Sequence, residues 1–359
     1  MGELLEIWEA EGAFTRLEGW LRERGFFVPG GEALVAEVFL GYGLSATTRR
    51  DTVAAPREPC DALPLAAARI VDAPPRPLRP SRSGRARVGP WERTWTDGEY
   101  CAAIEAVRAA IARGDVYQVN LVQHLSAPFA GDAVAVADAL RDLCPLHPRP
   151  FVGSGWAVVS ASPELFLARR GRVVRTMPIK GTRPRGGARE LAASAKDAAE
   201  HLMIVDLERN DLSRVCEAGS VRWPELMVTR ELAGVAHMVS TVEGRLREGV
   251  GLAELLEATF PGGSVTGAPK IAAVDLIAAL EPVGRGASMG ALGYVYGTGD
   301  LELALTIRTL AIAEGRIHLW VGGGIVWDSE PEVEVAESWT KAAPLLALLG
   351  ADVAVGAAR

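Results

Sequence analysis

Lys180 lies in the stretch PIKGTRPRG (178–186), between an apolar dipeptide and a glycine. An exposed loop lysine is one interpretation, because lysine side chains are rarely fully buried. A lysine held in a pocket is the other, and its amine would be a nucleophile or a base. Glu164, in SASPELF, precedes it by one predicted hairpin. Such a hairpin would place a carboxylic acid beside an amine, a pairing used in acid–base and covalent catalysis.

Three further glutamates lie in stretches that favour helices. Glu200 follows Lys196 by four residues, a spacing that allows an ion pair within one helix. Glu334, Glu337 and Lys341 are three and four residues apart, so one helical face carries all of them. One interpretation is a solvated charged face. The other is a magnesium site, because Mg²⁺ takes one or two carboxylates and keeps waters and substrate oxygens as its other ligands.

Two glycine-rich stretches invite a phosphate-binding interpretation. GGSVTGAPK (262–270) lacks the Gly-Lys-Ser/Thr succession of a nucleotide-binding loop. Thr266 is a candidate N-cap for the helix that follows, whose N-terminus would attract a carboxylate as well as a phosphate. Residues 322–324 (GGG) end a predicted strand. They indicate either a bulge or backbone amides that approach a ligand closely.

The bulk composition excludes several classes of protein. The 359 residues are 49% hydrophobic and 23% charged, as in ordinary globular proteins. A net charge of −7 gives no support for a nucleic-acid-binding face. The four cysteines show no metal-ligand spacing and are typical of reduced thiols in a cytosolic protein. The N-terminus does not resemble a signal peptide, and no apolar run is long enough to span a membrane. We therefore expect a cytoplasmic protein with no nucleic-acid or membrane partner.

The positions of candidate helices and strands predict how these residues are held. A helix is predicted over 4–24 and a strand over 33–42. Thr96 and Glu99 form a capping box that starts a second helix. Further strands are predicted over 116–125, 156–161, 165–170 and 172–179 and in GALGYVYG, LELALTIRTLAIA and RIHLWVGGGIV. Further helices are predicted over 132–143 and 189–207, and a last helix starts near Ser329 with Glu332 completing its capping box.

Strands joined by short turns and interrupted by long helices predict an α+β protein with antiparallel sheets. The stretch 72–90 is rich in Pro, Arg, Ser and Gly and reads as a linker. We therefore predict a short N-terminal portion (1–71), this linker (72–90) and a catalytic core (91–350).

Nine stretches taken in order resemble the chorismate-utilising enzymes. They are YQVN, SASPELF, PIKGTRPRG, SAKDAAEHLMIVDLERNDLSRV, HMVSTVEG, FPGGSVTGAPKIAAVDLI, GALGYV, LTIRTL and GGGIVWDSEPEVEVAES. The resemblance covers about residues 88–349. The resemblance implies two large antiparallel β-sheets packed face to face with flanking helices, the fold of anthranilate synthase component I.

Within this family the chain is most similar to aminodeoxychorismate synthase component I. Anthranilate synthases usually read PIAGT, with alanine where this chain has Lys180. The resemblance implies conversion of chorismate and ammonia to 4-amino-4-deoxychorismate, for 4-aminobenzoate and folate synthesis. A glutamine amidotransferase subunit would supply the ammonia, because no glutaminase motif is visible. The alternatives are an anthranilate synthase component I and a chorismate-binding subunit without turnover.

The resemblance also implies a role for each matching residue. Lys180 would add to C2 of chorismate, and Glu164 would act as the acid and base for the departing C4 hydroxyl. His237 would stack near the ring. Gln118 replaces a lysine that activates water in isochorismate and salicylate synthases. The implied Mg²⁺ ligands are Glu200, Glu334 and Glu337, and the implied substrate-binding residues are Thr266, Lys270, Tyr294, Arg308, Gly322, Gly323, Gly324 and Lys341.

Overall fold

The computed structural model describes residues 3–50, 52–72, 86–184, 186–232 and 235–350. Most of the predicted linker 72–90 therefore lies outside the described residues. Within the described ranges the strands are β1 (Leu4–Ile7), β2 (Val35–Leu40), β3 (Ala66–Val71), β4 (Arg87–Val88), β5 (Glu92–Arg93), β6 (Gln118–Ala130), β7 (Phe151–Val152), β8 (Trp156–Ser160), β9 (Leu165–Arg170), β10 (Val173–Met177), β11 (Ile179–Pro184), β12 (Arg222–Leu232), β13 (Val235–Arg245), β14 (Gly267–Ala268), β15 (Ala291–Tyr296), β16 (Leu301–Leu305), β17 (Thr309–Ala313) and β18 (Arg316–Ile325).

The α-helices of the same ranges are α1 (Ala13–Glu23), α2 (Asp97–Ala112), α3 (Ala133–Leu140), α4 (Ala188–Ala193), α5 (Ala195–Ser213), α6 (Leu252–Thr259), α7 (Lys270–Leu280) and α8 (Pro331–Leu348). None of them is long and apolar enough to cross a membrane.

Among the described residues, the strands form two antiparallel sheets. The first runs β1-β3-β2-β15-β16-β9-β10-β13-β11, with β12 also paired to β13. The second runs β14-β6-β18-β17-β8-β7, with β4 and β5 paired to β6. Strands β1–β3 continue the first sheet through the pairing of β2 with β15. The division at residues 71 and 91 stays a prediction.

The two sheets share one hydrophobic core, which confirms the predicted face-to-face α+β architecture. Buried Phe39 and Leu303 of the first sheet belong to the same apolar cluster as Leu121 and Trp320 of the second. A separate cluster joins the other face of the second sheet to α3 and α8. Both faces of the second sheet are therefore covered. Its strands β8 and β17 carry nearly continuous apolar runs, whereas β6 also buries polar side chains such as Gln118.

Local sequence signals account for some element boundaries. The capping box of α2 is confirmed, since the Thr96 hydroxyl accepts from the Glu99 backbone N–H and the Glu99 carboxylate accepts from Thr96. The predicted helix over 4–24 is wrong at its N-terminal end. There Leu4–Ile7 forms β1 beside β3, and Gly12 with a φ of 65° precedes α1.

The predicted helix over 189–207 is two helices, α4 and α5. Ser194 separates them in extended conformation, and its hydroxyl accepts from the Asp197 backbone N–H as the N-cap of α5. This cap sets where α5 begins and therefore where Glu200, in its second turn, points.

Candidate active site

Lys180 points inward from β11. Its side chain is 11% exposed, and its Nζ lies 3.4 Å from Oε1 of Glu200. The same Nζ donates a hydrogen bond of 3.1 Å to the backbone carbonyl of Ser264. The pairing of β11 with β13 shifts register between Lys180 and Thr182, where Gly181 has a φ of 66°. This irregularity needs glycine and turns the lysine toward α5.

Glu164 lies just before β9 and is almost fully buried. Its Oε1 accepts from the backbone N–H of Ile179 at 3.4 Å, so it lies directly beside the strand that carries Lys180. Burial raises the pKa of the Glu164 carboxyl, although the Lys180 ammonium and a hydrogen bond with the Ser264 side chain oppose the shift. A raised pKa favours the protonated form, which a general acid needs.

Gln118 begins β6 and connects it to α5. Its Nε2 donates a 3.0 Å hydrogen bond to Oε1 of Glu200, the same oxygen that faces Lys180. Its Oε1 is buried and has no hydrogen-bond partner among the described residues. A buried acceptor without a partner is costly, so this oxygen is suited to a donor on a bound ligand.

Arg308 and His237 border the same region. Arg308 lies between β16 and β17 with a φ of 49°. Burial lowers the pKa of its guanidinium, and the neighbouring Glu164 carboxylate acts in the opposite direction. His237, on β13, lies 3.4 Å from the Gly181 carbonyl through Nδ1. Burial and then Arg308 lower the pKa of His237, which favours a neutral imidazole.

The first turns of α8 supply a second group of charged side chains. Glu337 and Lys341 form an ion pair of 2.8 Å, and the Lys341 Nζ donates to the Gly322 carbonyl at 2.9 Å. Burial raises the pKa of Glu337, but the charge and hydrogen bond of Lys341, together with the charges of two other lysines, outweigh it and the net shift is downward. Burial raises the pKa of Glu334, whose Oε1 accepts a 2.6 Å hydrogen bond from Ser329. Ser329 therefore supports Glu334 and is not the helix N-cap we predicted.

The α8 N-cap is Glu330, with Pro331 opening the helix. The predicted capping box between Ser329 and Glu332 is therefore wrong. The reason is that the buried carboxylate of Glu334 takes the Ser329 hydroxyl as a donor.

Two successive glycines of β18 lie between these groups. A Cβ on Gly323 would lie 3.2 Å from the Lys341 Nζ, 3.5 Å from Glu334 and 3.7 Å from Glu337. A Cβ on Gly324 would lie 1.9 Å from the Gln118 Nε2 and 2.9 Å from the Glu200 Oε1. The bare backbone of β18 thus lets carboxylates from α5 and α8 approach the same short segment. Gly322 adds its carbonyl, which accepts from Lys341.

The donor set fits Mg²⁺ with two carboxylates. In the part of the chain that the structure describes, no three His, Cys, Asp or Glu side chains gather closely enough to hold a metal ion. Mg²⁺ needs only one or two carboxylates beside waters and substrate oxygens. Glu200 and Glu337 offer hard oxygen ligands, and each is paired with a lysine ammonium, so each already attracts a cation.

Three predicted substrate-binding residues contact residues that do not belong to the groups described above. The Lys270 ammonium is buried against Asp211, 2.6 Å away, and the Thr259 carbonyl. The Thr266 hydroxyl donates to the Gly262 carbonyl, and Pro269 is the N-cap of α7, so Thr266 is not the N-cap we predicted. The Tyr294 ring packs against His147, with 4.8 Å between centroids. The substrate-binding roles of these three residues stay predictions, and the buried hydroxyl of Tyr294 has no hydrogen-bond partner among the described residues.

Ser264 is a site residue that sequence reasoning missed. Its carbonyl accepts from Lys180 and its side chain is hydrogen-bonded to Glu164, so it connects the amine to the acid. It lies in GGSVTGAPK, where two other residues give stronger sequence signals. Thr266 is a hydroxyl residue before a predicted helix, and Lys270 carries a positive charge. A small polar residue within the glycine run was the only signal for Ser264.

Comparison with known proteins gives the family. The family model described as chorismate binding enzyme matches residues 8–347. Anthranilate synthase component 1 of Streptomyces coelicolor is 40% identical over 284 residues, covering 76% of this chain and 55% of that protein. Aminodeoxychorismate synthase component 1 of Klebsiella aerogenes is 43% identical over 263 residues, covering 70% of this chain and 58% of that protein. The chain therefore spans little more than half the length of these two relatives.

A solved structure agrees with the sequence matches. Anthranilate synthase component I from Streptococcus pneumoniae aligns with a TM-score of 0.79 at 25% identity, covering 92% of this chain and 85% of that one. The predicted fold and the resemblance drawn from nine stretches are thus confirmed by independent comparisons. The chain belongs to the chorismate-binding enzyme family.

Proposed function

We propose that the chain is an aminodeoxychorismate synthase component I, which converts chorismate and ammonia to 4-amino-4-deoxychorismate. The observation that carries this proposal is the placement of Lys180. Its amine is largely buried, lies beside Glu200 and the Ser264 carbonyl, and acts electrostatically on Glu164. An anthranilate synthase needs no nucleophile at this position.

The first half of the reaction uses Lys180 and Glu164. Once the Lys180 ammonium has lost a proton to solvent, its neutral amine forms a bond to C2 of chorismate while the two ring double bonds shift and the C4–O bond breaks. Glu164 gives its proton to the departing oxygen, which leaves as water. The burial of Glu164 supports this assignment, because it raises the pKa of the carboxyl and keeps the proton available.

In the second half ammonia attacks C4. The double bonds shift back, and the bond between C2 and Lys180 breaks with its electron pair returning to the lysine nitrogen. The new ammonium at C4 gives a proton to the Glu164 carboxylate, so both the lysine amine and the acid are regenerated. Ammonia has no charge and several N–H donors, so it needs acceptors to be oriented. The buried and unpartnered Oε1 of Gln118 is such an acceptor. The enolpyruvyl group does not react and stays on the product.

Chorismate carries two carboxylates, so its site needs positive charge at two places. Arg308 and Lys341 are the proposed partners of these carboxylates, with backbone amides of Gly322–Gly324 as additional donors. Glu200 and Glu337 would hold Mg²⁺, with Glu334 beside them, and the metal would neutralise the ring carboxylate. His237, kept neutral by burial and by Arg308, would pack near the ring.

Product analysis tests this proposal. The chain is incubated with chorismate, Mg²⁺ and ammonium at mildly alkaline pH, and an aminodeoxychorismate lyase is then added. We expect 4-aminobenzoate, and we expect Lys180→Ala to abolish it. Lys196→Ala, at an exposed lysine on the neighbouring α5, is the matched control and should retain turnover. Anthranilate as the main product, or full turnover by Lys180→Ala, would overturn the proposal.

Anthranilate synthase is the second candidate. The relatives do not separate the two activities, since one anthranilate synthase and one aminodeoxychorismate synthase match this chain at 40% and 43% identity. The same assay separates the two, because anthranilate forms without the lyase and fluoresces.

We also propose a glutamine amidotransferase partner, because both curated relatives named above are the first of at least two components. The chain alone should then use ammonium and not glutamine. Turnover with glutamine in the absence of any second protein would contradict a separate partner.

A further inference from the structure

The ammonium of Lys341 lies where two oxygen atoms from different elements meet. Its Nζ is 2.8 Å from Oε1 of Glu337 on the same helix and 2.9 Å from the carbonyl oxygen of Gly322 on β18. The missing side chain of Gly323 leaves the room for this approach, because a Cβ there would lie 3.2 Å from the same Nζ. A side-chain cation thus occupies the oxygen-lined position beside Glu337.

The second proposed metal ligand is paired in the same way. Oε1 of Glu200 lies 3.4 Å from the Nζ of Lys180. Two carboxylates are therefore balanced by two ammonium groups. A divalent cation bound to both carboxylates would add two positive charges to a balanced group, so at least one ammonium must give up its carboxylate.

We propose that Lys341 is a resident counter-ion of Glu337 that the divalent metal displaces, so that metal binding releases this lysine to take a substrate carboxylate. This inference rests on the proposed function, because it assumes a metal at Glu337. It adds an order of events: the lysine exchanges one carboxylate for another, and the metal makes the exchange possible.

Lys341 is the lysine that can move. Its side chain is 40% exposed and that of Glu337 is 51% exposed, whereas the Lys180 side chain is 11% exposed. An ion pair between partly exposed side chains one helical turn apart is weak, since water screens both charges. A divalent cation has twice the charge of the ammonium and coordinates the carboxylate directly.

Metal binding without substrate tests the inference. Binding of Mn²⁺, used as a probe for Mg²⁺, is measured by electron paramagnetic resonance of the free ion on the intact chain. Lys341→Met removes the competing ammonium and keeps an unbranched side chain. Lys196→Met is the matched control, because Lys196 also acts electrostatically on Glu334 and Glu337 but makes no ion pair with either among the described residues. Lys341→Arg keeps the charge and the pairing.

We expect Lys341→Met to bind Mn²⁺ about fivefold more tightly than the wild type. This gain in affinity should exceed any gain that Lys196→Met shows. Lys341→Arg should stay near the wild type. Chorismate should tighten Mn²⁺ binding in the wild type and much less in Lys341→Met, because coupling between two ligands is reciprocal.

Two results would overturn the inference, and they differ in what they imply about the metal site at Glu337. If Lys341→Met binds Mn²⁺ no more tightly than Lys196→Met while Glu337→Gln weakens binding, Lys341 is not a competitor but the metal site stands. If Glu337→Gln leaves Mn²⁺ binding unchanged, the metal is not at Glu337, and both the inference and that part of the proposed function fail. Thermal melting of each variant confirms that the comparison concerns folded proteins.

Discussion

The Nζ of Lys180 and the Oε1 of Glu200 lie 3.4 Å apart, although one belongs to β11 and the other to α5. The proposed nucleophile and a proposed metal ligand therefore form one electrostatic pair. Gln118, from the second sheet, donates to the same carboxylate oxygen. Side chains from three elements thus meet at a single atom, and a substitution of any one of them should change the interactions of the other two.

Replacing Glu200 by glutamine tests its role toward the metal. The amide is nearly isosteric but uncharged, so the Mg²⁺ concentration needed for half-maximal turnover should rise more than tenfold. Glu190→Gln, at an exposed residue of the preceding helix, is the control and should leave the Mg²⁺ titration unchanged. Superimposable titrations of Glu200→Gln and the wild type would exclude Glu200 as a ligand.

Gly324→Ala should disrupt the site through space alone. The new methyl group would lie 1.9 Å from Nε2 of Gln118 and 2.9 Å from Oε1 of Glu200. Overpacking of this kind costs about 1–3 kcal/mol and displaces the side chains that it meets. We expect lower unfolding free energy and at least tenfold lower kcat, measured by urea unfolding and by the product assay.

Gly323→Ala is the matched substitution for this prediction. Its methyl group would meet the flexible end of Lys341 at 3.2 Å, so the cost in unfolding free energy should be smaller. Equal losses of unfolding free energy in both variants would mean that β18 does not tolerate any side chain at these positions, and that the contact with Gln118 is not the cause.

Arg285→Met should destabilise the protein strongly. Arg285 is buried, forms an ion pair with Glu281 and donates to the carbonyls of Val265 and Asn120. Removing one partner leaves a buried charge without compensation, which costs about 3–5 kcal/mol of unfolding free energy. Arg57→Met, at an exposed arginine, should change it by less than about 0.5 kcal/mol. A small loss for Arg285→Met in urea unfolding would contradict this account.

The buried carboxyl of Glu208 should make stability depend on pH. Burial and then the Glu164 carboxylate raise the pKa of Glu208 from 4.5 to about 8, and Thr176 donates a 2.9 Å hydrogen bond to it. Between these two pH values the native state holds a proton that the unfolded chain has lost. The contribution of Glu208 to the unfolding free energy is therefore complete below pH 4.5 and is lost as the pH rises to about 8.

Glu208→Gln removes that proton equilibrium. As the pH rises from 4.5 to about 8, the unfolding free energy of Glu208→Gln should fall less than that of the wild type. The slopes of the two proteins should therefore separate them most at the alkaline end of this interval. Glu248→Gln, at an exposed glutamate, should keep the wild-type slope. Parallel pH profiles of Glu208→Gln and the wild type would show that Glu208 is ionised in the folded protein.

Much of the candidate site follows from the sequence because its residues lie in short stretches of fixed local structure. The capping box of Thr96 and Glu99 sets the start of α2, and the hairpin between Glu164 and Lys180 is local. The spacing of Glu337 and Lys341 puts them on one face of α8, and their ion pair is observed. These features depend on helix periodicity and turns, which need no distant contact.

Other features were decided only when distant segments packed together. Tyr294 packs against His147, and Lys270 pairs with Asp211, although both residues lie in motifs that resemblance assigned to the substrate. The Ser329 hydroxyl donates to Glu334 because that buried carboxylate needs a donor, which overrides its tendency to cap a helix.

The sequence by itself determined which residues are proposed to carry the chemistry: a lysine, its neighbouring acid, the glutamates of two helices and a glycine-rich strand end. Only the tertiary structure decided that Gln118 and Lys180 meet on one oxygen of Glu200, that Ser264 joins Lys180 to Glu164, and that Lys341 rests on Gly322. The reason is physical. Buried polar groups must find partners, and partners far away in the chain are chosen by the packing of the whole fold and not by local sequence.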